Sequence, residues 1–407
     1  MKQREILNSN KFANSFANSG KTNRMNLAAC SARENNCKEG IFMNFKFSEE
    51  QELIRKSMEE TVAGAEKKDP NDLLKDLAGM GFIGLFYPEG FGGSEGDFLS
   101  FIINLETLAK VSASSALALA IQSTQVAYSL FNWGSSKLRE RYLIALNGGG
   151  KTGTYAYSEQ GIGSDQIAID TVAKKQDDFY LLNGTKTFVI NADKNDFLIA
   201  FATVDGRLSV FVVDRVQQGV TISDPYRKMG LDGLSAVTVT FKNVRVPKDN
   251  LLGEEGDGES IAQGVNELFS VGIAAIAAGL SETAREKAIA YGKQRIQFGR
   301  PVISFDALQE KIGIMSVNIE ATRLLTYKAA VNKDEGEPLA QVAKIARYHA
   351  LTTGINNCRE AIQIHGGYGY TRDLGIETLY RDMEGLKVIE SQTKPLILNI
   401  AAEAIEV

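Results

Sequence analysis

The spacing of apolar residues changes twice along this chain, from a helical repeat to short alternating runs and back, and few folds accommodate that order. From Phe47 to about Gly150 the pattern is helical. Ser48 stands three residues before Gln51, the spacing of a capping box, and Leu53, Ile54, Met58 and Val62 then recur on one face. The stretch FLSFIINLETLAKVSASSALALAIQSTQVAYSLF is apolar nearly all round and reads as a helix buried inside a bundle. Before it, GFIGLFYPEGFGGSEGD carries Pro88 and a run of glycines from Gly90, which predicts a loop. From Lys151 to about Gly258 the signal is that of strands. Asn183-Gly184 and Asp205-Gly206, each between β-rich runs, predict two hairpin turns, and VTVTFKNVRVP adds an alternating strand stopped by Pro247. From Glu259 onward apolar stripes with charged opposite faces return. Helices segregated from a small antiparallel sheet place the chain in the α+β class, with a helical domain over 43–150, a β-domain over 151–258 and a helical part over 259–407.

A chain of 407 residues exceeds one ordinary core, so two or three domains are expected. Its 44% hydrophobic and 23% charged residues suit a soluble protein, and a net charge of -5 argues against nucleic acid or an anionic membrane as partner. No apolar run approaches the roughly 18 residues of a membrane span. Three cysteines, Cys30, Cys37 and Cys358, predict no disulfide framework and suit a reducing compartment, the cytoplasm rather than the mitochondrial matrix. Residues 1–42 lack helical periodicity and lead up to Met43. Glu5, Glu34 and Glu39 do not suit a transit peptide, so a disordered extension or a start placed too early is expected there. Cys30 and Cys37 have no His or further Cys nearby, and no metal site is expected.

The motifs are individually weak. SEQGIGSD (Ser158 to Asp165) is a Gly-rich turn able to offer backbone N–H groups, or merely a turn. RIQFG (Arg295 to Gly299) reads by itself as a helix C-cap, and QIHGGYGY (Gln363 to Tyr370) as a turn with close backbone approach. No GxGxxG follows a strand and opens a helix, so a Rossmann-type site is not expected. In sequence, however, SEQGIGSD, KTFVIN, VRVPKDNLLGEEGDG, RIQFG, QIHGGYGY, YRD and a late Glu resemble the acyl-CoA dehydrogenase family, from about Phe47 to the C-terminus.

The resemblance implies a helical domain, a central β-domain and a C-terminal four-helix bundle, with FAD between them. It implies α,β-dehydrogenation of an acyl thioester on CoA or an acyl carrier protein, a homotetramer, and an electron-transferring flavoprotein as acceptor. The base it implies is Glu390, eight positions after Asp382 and just before the last helix, where Pro395 suits a first turn. The other position used in the family corresponds to Phe269, which cannot serve. Implied flavin contacts are Tyr155, Ser158, Gly163 and Ser164, the run Phe188, Val189 and Ile190, and Gln392. Arg295, Gln297 and Phe298, with Gln363, Gly366 and Gly367, are implied to reach the flavin of a neighbouring subunit. Ser164, Ser270 and Ser391 are implied at the substrate, and His365 receives no acid–base role.

Several positions depart from the family pattern. Ile190 stands where Thr or Ser is usual, Ser270 where most members have Arg, Asp306 where Gln is usual, and Ser391-Gln392 where Gly-Thr is usual. Gln160, Ile162 and Asp232 also differ. Such clustering keeps two alternatives open: a flavin oxidase or monooxygenase of the same superfamily, and a non-catalytic thioester-binding paralogue.

Overall fold

The computed structural model describes residues 46–65, 68–160, 169–389 and 393–405. Helices Glu49–Val62 (α1) and Pro70–Gly79 (α2) come first. Asp69 caps α2 by accepting the Asn71 N–H, and Pro70 fills the first turn, where an N–H has no partner to lose.

The long apolar stretch is not one helix. Phe98–Val111 (α3) ends at Ser112, where the backbone turns extended and the hydroxyl accepts the Ser115 N–H to start Ala113–Ala120 (α4). The apolar pattern runs straight through this break because both halves are buried. The chain then widens into a fully buried π-helical segment, Ile121–Ala127, before Tyr128–Trp133 (α5). Such segments are frequent at functional sites. A second interrupted helix runs from Ser136–Leu138 (α6) to Ile144–Asn147 (α7).

Eight strands follow in one sheet: Gly153–Ala156 (β1), Val172–Lys175 (β2), Phe179–Ile190 (β3), Phe197–Val204 (β4), Arg207–Asp214 (β5), Val220–Ile222 (β6), Ala236–Pro247 (β7) and Leu251–Leu252 (β8). Their order is β6-β7-β3-β2-β4-β5-β8, with β1 beside β4. Pairing is antiparallel except that β1 runs parallel to β4 and β2 meets β4 in a single parallel pair. Asp205-Gly206 turns the β4–β5 hairpin as expected, with φ of 48° and 77°. Asn183-Gly184 turns nothing: it lies inside β3, at a register shift against β7. Glycine is needed there for a different reason. At φ 155° a Cβ on Gly184 would lie 2.3 Å from the Thr171 hydroxyl.

β4 is apolar along almost its whole length because both of its faces are covered. Ile199 and Phe201 join the core shared with the helices, while Leu198, Ala200 and Ala202 join a second cluster with Leu182, Val189 and Phe211. The helical and β parts meet through a buried amide: Gln122 accepts the Gly153 N–H at 2.9 Å and donates to its carbonyl at 2.8 Å.

The C-terminal bundle comprises Gly258–Gln294 (α8), Asp306–Glu335 (α9), Ala340–Ile364 (α10), Gly367–Tyr370 (α11), Ile376–Val388 (α12) and Thr393–Ala404 (α13). By length and composition α8 alone among the described helices could cross a membrane, but 72% of its most apolar window is buried within the protein. Every residue from Leu268 to Ala284 is buried, so this apolarity serves the bundle's centre. RIQFG begins as the expected helix cap, with the Arg295 N–H on the Tyr291 carbonyl at 2.9 Å, and continues as a hairpin. α8 stops at Gln294, and Ile296–Gln297 (β9) pairs with Arg300–Pro301 (β10) around a turn with Phe298 and Gly299 at φ 49° and 77°.

Candidate active site

A cavity of about 160 Å³ opens where the β-domain meets the bundle. One wall carries Tyr155 and Ser158, from β1 and the residues after it, with Phe188 and Ile190 from β3. The π-helical segment contributes Ile121 and Gln125, and the end of α12 contributes Val388 and Ile389. Phe188 has φ 57° at a bulge in β3, an uncommon backbone state for a bulky residue and one that clusters at functional sites. Strand alternation sends the Val189 side chain the other way, into the second β cluster, so only its backbone is left for a ligand in this cavity. Thr154, whose hydroxyl donates to the Ile190 carbonyl at 2.6 Å, also lines the cavity and was not singled out by sequence.

Glu390, Ser391 and Gln392 lie outside the described residues, as do Gly163 and Ser164. The described chain reaches Ile389 in the cavity wall and resumes at Thr393, the start of α13; Pro395 falls in that helix's first turn.

Glu159, the second residue of SEQGIGSD, forms an ion pair that the motif did not announce. Glu159 and Lys186, with side chains 4% and 0% exposed, meet at 2.6 Å. Lys186 Nζ also donates to the Tyr157 carbonyl at 3.1 Å, and the Glu159 carboxylate accepts the N–H groups of Asp170 and Thr171. Glu159 therefore joins both ends of the segment 160–169. Burial works against each charge. At Glu159 the ammonium and the N–H donors outweigh it and hold the carboxyl below its ordinary range, whereas burial brings Lys186 down to about 8. At neutral pH both are ionised.

Ser270 is buried in α8, beside Phe269. A cation is present at Ser270, but it comes from another helix. Arg347, buried on α10, points Nη1 to Ser270 Oγ at 3.3 Å and to Asn266 Oδ1 at 3.2 Å, and Nη2 donates to the Ile389 carbonyl at 2.9 Å. Its guanidinium lies 5.8 Å from the Phe269 ring centroid.

Arg295, Gln297, Phe298, Gly366 and Gly367 line a separate, larger cavity of about 650 Å³ at the end of α8. Phe298 is 92% exposed. Gly366 has φ 59° and ψ −136°, which only glycine adopts readily, and a Cβ at Gly366 or Gly367 would meet open space. Gln363 is exposed near the end of α10, and its carbonyl accepts the Gly366 N–H. His365 stacks on Tyr291 at 4.5 Å with Nδ1 on the Ala361 carbonyl at 2.7 Å; burial lowers its pKa, in keeping with a neutral ring.

YRD works as a dock. Arg381 donates to the Met229 carbonyl at 2.7 Å and pairs with Asp232 at 3.0 Å, while Asp382 accepts the Leu231 N–H at 2.6 Å. α12 is thereby fixed to the loop between β6 and β7. A Cβ on Gly230 would lie 2.1 Å from the Arg381 carbonyl oxygen. Gly230→Ala is expected to lower stability by about 3 kcal/mol, a thermal-melt shift of several degrees, because neither backbone can give way; an unchanged melt would show that the contact is not tight.

Three family models match: the acyl-CoA dehydrogenase N-terminal domain over residues 48–150, the middle domain over 154–244 and the C-terminal domain over 256–405. The chain is 34% identical to 3-(aryl)acrylate reductase of Clostridium sporogenes, covering 88% of this chain and 100% of that protein. It is 33% identical to the caffeyl-CoA reductase-Etf complex subunit CarC of Acetobacterium woodii, covering 86% and 94%. Butyryl-CoA dehydrogenase of Megasphaera elsdenii superposes with a TM-score of 0.85 at 31% identity, over 89% of this chain and 100% of that one. The chain belongs to the acyl-CoA dehydrogenase family of FAD-dependent oxidoreductases.

Proposed function

We propose that this protein interconverts an acyl-CoA and its α,β-unsaturated counterpart, with the Glu390 carboxylate exchanging the α-proton. The observation that carries this reading is the cavity between the β3 bulge and Val388–Ile389, the two residues that lead into position 390.

The residues fit the cofactor. Tyr155, Ser158 and Phe188 offer polar and aromatic groups beside a bulged strand, and Arg295, Gln297 and the uncrowded Gly366–Gly367 backbone suit a pyrophosphate. When bound, FAD supplies the hydride acceptor for the β-carbon. The chain's own task is narrower. Ile121, Phe188, Ile190, Val388 and Ile389 give the cavity an apolar side, which strengthens the fixed dipoles beside it and raises the pKa of a carboxyl placed against it. In the forward direction the α C–H bond breaks, its proton goes to a Glu390 oxygen, and the electron pair closes the double bond as the β-hydride leaves.

Two half-sites on one chain support an oligomer, a tetramer by resemblance, in which Arg295 and Gly366 serve the flavin of a second copy. An electron-transferring flavoprotein is the proposed electron partner, and the relative named as part of an Etf complex supports it. One observation favours oxidase chemistry instead: Ile190 in the cavity wall offers no side-chain donor.

The test is an anaerobic titration of the FAD-loaded protein with butyryl-, isovaleryl- and 3-phenylpropionyl-CoA, following the visible flavin band. Bleaching by one of them is expected, with 3-phenylpropionyl-CoA included because a relative is named for 3-arylacrylates. Bound flavin that no CoA ester bleaches would overturn CoA as the carrier. Reduced protein that reoxidises within seconds in air without a partner would overturn the dehydrogenase reading. A monomeric mass for the FAD-loaded, active protein would overturn the shared site.

A further inference from the structure

The geometry points to Arg347 as a positioning residue for the reaction, one that holds the chain at Ile389 so that the next residue meets the substrate. This rests on the reading of Glu390 as the base.

Arg347 lies within α10 and is 2% exposed. Burying a guanidinium costs several kcal/mol even after relaxation, and Met or Leu would fill the same space without that cost. Its hydrogen bonds show what the charge does there. Nη1 reaches Asn266 and Ser270 on α8, and Nη2 reaches the Ile389 carbonyl, just beyond α12. The planar fork has a fixed shape, so bonds at both ends of it set direction as well as distance. Three parts of the bundle are thereby referred to a single group: α8, α10 and the peptide that joins Ile389 to residue 390. A plain C-cap of α12 would explain the Ile389 bond. It would not explain why the cation is drawn from the core and anchored on α8. Ile389 is also a cavity residue, so the pinned peptide belongs to the wall of the site.

The experiment compares FAD-loaded parent, Arg347→Gln, Arg347→Lys, Ser270→Ala and Glu390→Gln proteins. Amide hydrogen exchange is followed in the peptide spanning about residues 386–396. Flavin bleaching is followed by rapid mixing with 3-phenylpropionyl-CoA and butyryl-CoA, each also in α-deuterated form. In Arg347→Gln we expect that peptide to exchange about 10-fold faster while peptides from α8 and α10 keep their rates. Bleaching at saturating acyl-CoA should fall on the order of 100-fold, as for a group displaced by about 1 Å, with little change in half-saturation. The α-deuterium isotope effect should rise, since proton removal becomes the slow step. Arg347→Lys, which keeps the charge without the fork, should recover part of each, and Ser270→Ala should show a smaller change of the same kind.

Unchanged exchange near Ile389 together with an unchanged isotope effect in Arg347→Lys and Ser270→Ala would overturn the assignment, even if Arg347→Gln fails to fold. Failure of the underlying reading looks different: Glu390→Gln would then bleach as fast as the parent. The exchange measurement needs no substrate, so it decides the Ile389 contact in either case.

Discussion

Glu390→Gln protein is expected to bind FAD as the parent does and to lose flavin reduction by acyl-CoA, by about 10²–10⁴-fold. The amide matches the carboxylate in shape, so packing at the end of α12 should survive; what it lacks is basicity. The α-proton of a thioester is a weak acid, so its removal needs a base held beside the α-carbon. Phe269, the other position at which the family places a base, is a buried phenyl ring and cannot substitute. His365 cannot either, since it lines the larger, separate cavity. Stopped-flow bleaching and the flavin spectrum of the variant check both halves of the expectation. Reduction at the parental rate would remove Glu390 from the mechanism, and loss of FAD would make its role structural.

The second large effect is on stability. Glu159→Gln should destabilise the protein by about 3–5 kcal/mol, because it leaves the Lys186 ammonium buried without its counter-charge. The pH dependence follows from the direction of the lysine shift. Burial depresses the folded-state pKa of Lys186 to about 8, so above that value the unfolded chain binds more protons at this site than the folded one, and raising the pH relieves the lysine's cost. In the parent, the same deprotonation removes the partner of Glu159. Glu159 itself holds the lysine's pKa up, so in the variant it falls further, and the deficit should be largest below neutral pH, narrow as the pH rises toward about 8 and stay constant above it. Replacing both residues with apolar ones, Glu159→Leu with Lys186→Met, should recover much of the loss. Thermal melts at pH 7 and pH 9 test this; a melt for Glu159→Gln equal to the parent's at pH 7 would mean that the pair contributes little.

What the sequence disclosed and what it hid divide along a physical line. The change of period from helix to strand and back is local, and so is the Asp205-Gly206 turn, whose two positive φ values those residues tolerate well. Asn183-Gly184 carries the same signal but answers to Thr171, which crowds it from just before β2. Ser112 breaks a run whose apolar pattern continues unbroken, since burial on both sides leaves no polar face to mark the end. RIQFG has a glycine where a helix cap would put one, yet the pairing of Arg300–Pro301 with Ile296–Gln297 makes it a hairpin. Farthest from view were the groups defined by distant partners. Lys186 meets Glu159 across 27 positions, and Arg347 reaches Ile389 across 42 and Ser270 across 77. No window of sequence contains those pairs, and a lone Arg in a helix ordinarily reads as a solvated side chain. The motif order, by contrast, pointed to Tyr155, Ser158, Phe188 and Ile190, and the fold brings these four to one cavity.

Where Glu159 holds the chain at Asp170 and Thr171, the ends of the intervening segment are set by the sheet and not by the segment itself. Lengthening a loop closed in this way costs little, about 0.6 kcal/mol for each doubling of its length. The register of β2 against β3 is accordingly held by Glu159 through Thr171 and Lys186, whatever joins positions 160 and 169.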